Sequence, residues 1–217
     1  MAENLRFDEG SHRYYRGSIE IPSCTRCLDH AGLVSYDGVR QDILEKKSRL
    51  GTAVHMATHF YDENNLDWES VGDDAKPYVD GWAEFRETTG FVPMRIEERC
   101  EANLNGMPYG MQFDCLGMLG KQETIVEKKI SSQALWWWAI QTAGYALGAP
   151  DLSRESSPML RFSRRRRIAV QLLPVGKFKF KKYDFNDRQD ADVFAATLLI
   201  THRKMREGAK IKDLDTP

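Results

Sequence analysis

Between Val39 and Tyr61 the apolar residues Val39, Ile43, Leu50, Val54 and Tyr61 recur at helical spacing, which predicts one long helix. Tyr78, Trp82 and Phe85 form the stripe of a second helix over 73–89, stopped by Gly90. The period then changes. Residues 95–103 and 111–119 read as strands joined through the turn residues Asn105, Gly106 and Pro108, and 123–130 as a third strand. Helical spacing returns over 133–147 and ends at Gly148-Ala149-Pro150, a strong breaker. Residues 168–174 and 177–183 form a hairpin over Val175-Gly176. The last helix, about 187–206, has Asn186 as its N-cap candidate and Phe194, Leu198 and Met205 on its stripe.

Ahead of these elements, residues 5–21 read as two short strands around Glu9-Gly10, with a second turn at Gly17. Pro22-Ser23 then opens a short helix that runs through His30 and ends near Gly32. The order predicts an α/β (α+β) chain whose central mixed sheet is flanked by helices. A chain of 217 residues fits one domain, with 1–36 as an N-terminal hairpin and short helix and 37–217 as the core.

Composition narrows the class of protein. No apolar run approaches the roughly 20 residues that span a bilayer, and MAENLRFDEG is too polar for a signal peptide. A cytoplasmic setting is expected. Cys24, Cys27, Cys100 and Cys115 are too few for a disulfide scaffold in a chain this long. Net charge is −1, but it is unevenly spread. Residues 61–101 hold twelve acidic and four basic side chains, whereas 161–183 hold nine basic and no acidic ones. One face should therefore carry positive potential. Within it, the run Arg164, Arg165, Arg166 and Arg167 is either a solvated loop or a phosphate contact.

Candidate chemistry concentrates in the middle strands. One strand delivers Asp114, the chain reverses at Gly120, and the next strand delivers Glu127 and Lys129. Side chains alternate along a strand, so Glu127 and Lys129 share a face and Lys128 takes the other. Carboxylates on adjacent strands can share a hard cation such as Mg²⁺ or Mn²⁺, and a lysine beside them can orient the attacking water. Gln141 and Tyr145 lie four apart on the following helix and point the same way, with Trp137 one turn earlier. Trp137 is placed to stack on a splayed base, although packing is the commoner role. Upstream, Gly51-Thr52-Ala53-Val54-His55 sets a histidine beside the buried stripe of the long helix.

Taken together these motifs resemble the PD-(D/E)xK nuclease superfamily, in its RecB-like and phage exonuclease branch. That branch has a helix-borne G-T-x-x-H, a strand Asp, a (D/E)-x-K strand and a Q-x-x-x-Y helix in this order. Here they are Gly51-Thr52 with His55, Asp114, Glu127 with Lys129, and Gln141 with Tyr145. HRYYRGSIEIPSCTRCLDHAGLV and RIAVQLLPVGKFKF are similar to the opening and closing segments of many phage-encoded members, so the likeness covers nearly the whole chain. One position departs from the pattern. The glycine usual three residues before the Asp is Met111, with Gly110 one place earlier, which predicts a loosened turn ahead of Asp114.

The resemblance implies a restriction-endonuclease-like core and a divalent-metal-dependent DNA nuclease, an exonuclease of phage or prophage type in recombination, repair or DNA degradation. It implies one or two Mg²⁺ or Mn²⁺ ions held by Asp114, Glu127, the backbone carbonyl of Lys128 and His55. Lys129 would position the nucleophilic water, while Gln141 and Tyr145 would hold DNA or the lysine. DNA is the expected partner, with a single-strand-annealing or recombination protein as a further one and no membrane. Rival readings are an endonuclease of the same fold, of restriction or junction-resolving type, and a non-catalytic DNA-binding module. Glu97, Glu98 and Glu101 lie where relatives sometimes supply another acid, and the sequence does not choose among them. His59 reads as a surface or packing histidine, because Met56 stands where a zinc protease motif needs glutamate. Cys24 and Cys27 read as buried thiols, and no iron–sulfur cluster is expected, since no cysteine follows Cys115.

Overall fold

Turn chemistry sets the strand pairings. The computed structural model describes residues 5–35, 38–152, 157–184 and 188–208. A small antiparallel sheet comes first, in the order β1 (Leu5–Asp8), β2 (Arg13–Arg16), β3 (Ile19–Ile21). Gly17, at φ 58°, turns β2 into β3, so the segment expected to hold two strands holds three. Helix α1 (Cys24–His30) starts at Ser23, whose Oγ accepts the amide of Arg26 at 3.0 Å.

Helix α2 (Gln41–Asp62) is followed by a single 3₁₀ turn at Trp68–Ser70 and by α3 (Lys76–Thr89). Gly90 ends α3 in the left-handed conformation, at φ 68°. The central sheet has five strands in sequence order: β4 (Phe91–Leu104), β5 (Met107–Leu119), β6 (Gln122–Lys129), β7 (Arg166–Leu173) and β8 (Lys177–Tyr183). Asn105 and Gly106, at φ 53° and 79°, make the tight turn between β4 and β5, and Pro108 lies inside β5 rather than in that turn. Pairing is antiparallel except between β6 and β7, which are parallel. A parallel pair needs a crossover. It is made by α4 (Trp138–Gly148) and α5 (Pro158–Arg164), before α6 (Gln189–Arg206) closes the described chain. The N-cap candidate Asn186 lies outside the described residues.

The sheet separates two cores. On one face Val54 of α2 and Trp82 and Phe85 of α3 pack on Cys115, Val126, Ile168 and Val170. On the other, Leu28, Ile140, Ala143, Phe162, Phe194 and Leu198 pack on Phe113, Leu116 and Ile125. Helix α4 approaches its neighbours closely, since a Cβ at Gly144 would fall 2.6 Å from Phe194 and 2.7 Å from Cys24 Sγ. Cys24 and Cys27 are buried in this core, and burial pushes the Cys27 thiol up to about 12. Among the described residues no helix is long and apolar enough to cross a membrane.

Candidate active site

Strand alternation breaks where the chemistry gathers. Phe113 and Leu116 both enter the core beneath α4, while Cys115 enters the opposite core, so side-chain alternation breaks at Asp114 although the register with β4 is kept on either side. On the neighbouring strand the register runs from Ile96↔Cys115 to Glu98↔Phe113, which sets Glu97 opposite Asp114. Glu97 takes a φ of 48°, a left-handed backbone that side-chain-bearing residues adopt rarely and that is found enriched at functional sites.

Three elements converge here. From α2, His55 places Nδ1 3.1 Å from Glu97 Oε1 and 3.3 Å from Asp114 Oδ1. One ligand atom from each of His55, Glu97 and Asp114 lies within 4.8 Å of the others, a spacing that could hold a metal ion. The other oxygen of Asp114 accepts the amide of Lys128 at 2.5 Å. Glu127 contributes a third carboxylate, buried like that of Asp114, whose Oε2 has no hydrogen-bond partner among the described residues. All of these acids line an open cleft of about 760 Å³, together with Thr52, Met56, His59, Arg99, Gln112 and Tyr145.

Beside the acids runs a chain of hydrogen bonds. Lys129 Nζ donates to Glu127 Oε1 and to Gln141 Oε1, each at 2.8 Å. Gln141 Nε2 in turn donates to the Tyr145 hydroxyl at 2.9 Å. Trp137 lies beneath the lysine, its ring centre 5.4 Å from Nζ. Lys128 points to the other face, as alternation requires, and its side chain is fully buried. There Nζ donates to Thr58 Oγ1 at 2.9 Å and to Glu97 Oε1 at 3.1 Å, and lies 5.3 Å from the centre of the Trp82 ring.

Electrostatics follow from this packing. Burial, then the neighbouring charge of Glu127, pushes Asp114 up to about 7. Burial would also raise Glu97, but the hydrogen bond from His55 and the ammonium of Lys128 reverse the sign and hold it at about 2. For His55, burial disfavours the imidazolium, yet the charge of Asp114 and the hydrogen bond to Glu97 prevail and its pKa is raised. Burial, with Glu127 close by, lifts the Tyr145 phenol well above its ordinary range, so it stays a neutral donor. A charged cluster of this kind, with one partnerless carboxylate oxygen, has the oxygen-rich donor set that hard divalent cations take.

The architecture matches a solved structure. The crystal structure of a "putative exonuclease" from Eubacterium rectale superposes with a TM-score of 0.51 at 11% identity, over 89% of this chain and 77% of that one. This is the PD-(D/E)xK fold. At that identity the likeness is one of fold alone. An alkaline exonuclease from Laribacter hongkongensis matches over 87% of this chain and 93% of its own, at 13% identity and a TM-score of 0.32, too far in shape to add to the argument. No family model and no curated protein matches the chain.

Within the PD-(D/E)xK fold, His55, Asp114, Glu127, Lys129, Gln141 and Tyr145 occupy one continuous site, and Trp137 adjoins it through Lys129. The sequence did not single out Glu97 or the side chain of Lys128; the only hint was an acid-rich first strand. Met111 does not loosen the turn. Its methyl fills the space left by Gly148, where a Cβ would fall 2.0 Å away, while Gly110 receives the Tyr14 ring against its backbone.

The arginine run needs correcting. Arg165 and Arg167 are fully buried, out of reach of phosphate. Arg165 donates to the carbonyls of Ala146, Ala149 and Pro150 and pairs with Glu123, and Arg167 donates to the carbonyls of Ala139 and Asp184 and pairs with Asp190. Arg164 pairs with Asp151, and Arg166 is half-buried at the start of β7. The loop reading fails too, because the run ends one helix and begins a strand. His59 lies on the rim of the cleft, paired with Glu63 at 3.1 Å.

Proposed function

We propose that this chain, as one domain over residues 1–217, is a divalent-metal-dependent deoxyribonuclease. Within that class we assign it to exonucleases of phage or prophage type that act in DNA recombination, repair or degradation. One observation carries the reading: Asp114, Glu127, Glu97 and His55 meet in an open cleft with Lys129 held against Glu127. Asp114, Glu127, Glu97 and His55 would hold Mg²⁺ or Mn²⁺, with the Lys128 carbonyl as a further ligand. When bound, the ion polarises the scissile phosphate and lowers the pKa of the attacking water.

The chain's own residues do the rest. Lys129 is tethered between Glu127 and Gln141, which fixes Nζ at the edge of the carboxylates. From there it orients the water for in-line attack and offsets charge developing on the phosphate. Gln141 keeps the lysine from swinging away and fixes Tyr145, whose hydroxyl proton is then available to a phosphate oxygen in the cleft. Lys128 and His55 keep Glu97 ionised, so its carboxylate can serve as a ligand.

End-labelled linear DNA and closed circular DNA, each with Mg²⁺, Mn²⁺ or chelator, provide the test. Linear DNA should be degraded with either metal and not with chelator, and circular DNA should resist. Asp114→Ala and Lys129→Ala should each lower the rate by about 10²-fold or more. Cutting of circular DNA would favour an endonuclease, and hydrolysis indifferent to both substitutions would sink the reading.

A further inference from the structure

A second cavity opens beside the first. It has a volume of about 250 Å³ and lies between the small N-terminal sheet, the start of α1 and β5. Gln112 and Tyr145 line both cavities, so they form the wall between them. On that threshold stands Arg99, which lines the larger cleft while its guanidinium carbon lies 4.2 Å from the centre of the Phe7 ring in the smaller one. Gln112 accepts from Arg99 Nε at 2.8 Å, and Glu9 accepts from Nη1 at 2.7 Å, so the guanidinium is held in place.

The smaller cavity is built for a flat, partly polar group. Phe7, His12 and Tyr14 are among its lining residues, with Phe7 4.7 Å from Tyr14 and 5.8 Å from His12 between ring centres. His12 has a left-handed backbone, at φ 50°, and belongs to the turn that carries its ring to the pocket. Ser23 and Thr25 bring polar side chains to the same lining. Aromatic faces with a few hydroxyls suit a nucleobase, which stacks through its π-face and hydrogen-bonds through its rim. A cation between the two cavities suits the phosphate linking one nucleotide to the next.

We infer that this pocket takes the nucleobase of the nucleotide next to the scissile phosphate, flipped out of its stack at a single-stranded DNA end. The inference rests on the nuclease reading and sharpens its substrate to a strand whose end is unpaired. The small sheet is then a substrate-binding element, docked on β5 through the bond from the Gly110 amide to the Pro22 carbonyl at 2.9 Å. Flipping one base costs least where the strand is already single.

Fluorescence of oligonucleotides carrying 2-aminopurine at successive positions from the end, bound with Ca²⁺ in place of Mg²⁺, tests the pocket. One position should be quenched at least threefold, by stacking, and the neighbouring positions much less. Phe7→Ala and the exposed His12→Ala should each restore that signal and raise the KM for the oligonucleotide roughly fivefold or more, the size of one lost base–aromatic stack. Hydrolysis of bis(p-nitrophenyl) phosphate, which reaches the metal cluster but has no base, should be unchanged in both. Quenching at no position, or quenching that persists in both variants, overturns the pocket. Cutting without quenching sinks the pocket alone, whereas no DNA binding and no phosphodiester hydrolysis sinks the nuclease reading with it.

Discussion

Asp114 shares a buried site with Glu127 and is pushed up to about 7 from its usual 3.8. Its folded-state pKa therefore lies above that of the unfolded chain, and the folded protein keeps a proton that the unfolded chain has already lost. Stability contributed by that proton is full at low pH and falls as pH climbs from about 4 to 7. Asp114→Asn removes the penalty while still accepting the Lys128 amide. In chelator at pH 8 the variant should melt above the native protein, by about 2–4 °C for each kcal/mol recovered. The gap should close by pH 4, and an equal or lower Tm at pH 8 would count against the buried charge. This is the trade of stability for activity common at active sites. At the same scale, Glu127 and Lys129 were legible because alternation puts them on one face of their strand, and Asp114 because it stands in order with them and with His55, Gln141 and Tyr145. Glu97 was not, because what selects it over Glu98 and Glu101 is a left-handed backbone opposite Asp114, which no periodicity announces.

Among the elements, the small N-terminal sheet is fastened to β5 at one narrow place. A Cβ on Gly110 would come within 2.3 Å of the Tyr14 ring. Gly110→Ala should cost about 1–3 kcal/mol by overpacking and push β2 off the central sheet. Limited proteolysis should then cut the turns around Gly10 and Gly17 faster, while the central sheet melts as before; unchanged cleavage would refute the account. The same contact explains why a glycine expected three places before Asp114 stands four places before it. Strands and the long helices were readable from period and turn residues. Two elements were not. Helix α4 starts at Trp138, five residues later than its apolar run suggests, because residues 132–136 are exposed loop. Helix α5 was missed because it is only seven residues long and leads into a charge run, and only Phe162 is buried from it.

At the scale of the whole molecule, part of the uneven charge along the chain turns inward, while Lys177, Lys179, Lys181 and Lys182 of β8 stay exposed. Two of the nine cations between 161 and 183 serve as internal ties, since Arg165 and Arg167 hold α4, its C-terminal loop and α6 to the sheet. A sequence shows the sign of a side chain but not whether backbone carbonyls will enclose it. Arg167→Ala should therefore unfold the protein more easily, by about 2–4 kcal/mol, since it leaves a half-buried Asp190 and the carbonyls of Ala139 and Asp184 without their donor. Its DNA affinity, measured on the folded fraction, should be unchanged. A loss of affinity at full stability would return Arg167 to the substrate.

Lys128 has one more consequence, for the order in which the protein is assembled. Its ammonium lies under the acidic floor and, with His55 above Glu97 and Lys129 against Glu127, gives the carboxylates counter-charges encoded in the chain itself. Small zinc domains lack such internal partners and fold only as they bind their ion. Here the site can take its final shape during folding, before any ion arrives. On the proposed reading, loading is then a late and reversible step, governed by the cell's supply of divalent ions rather than by the survival of the fold.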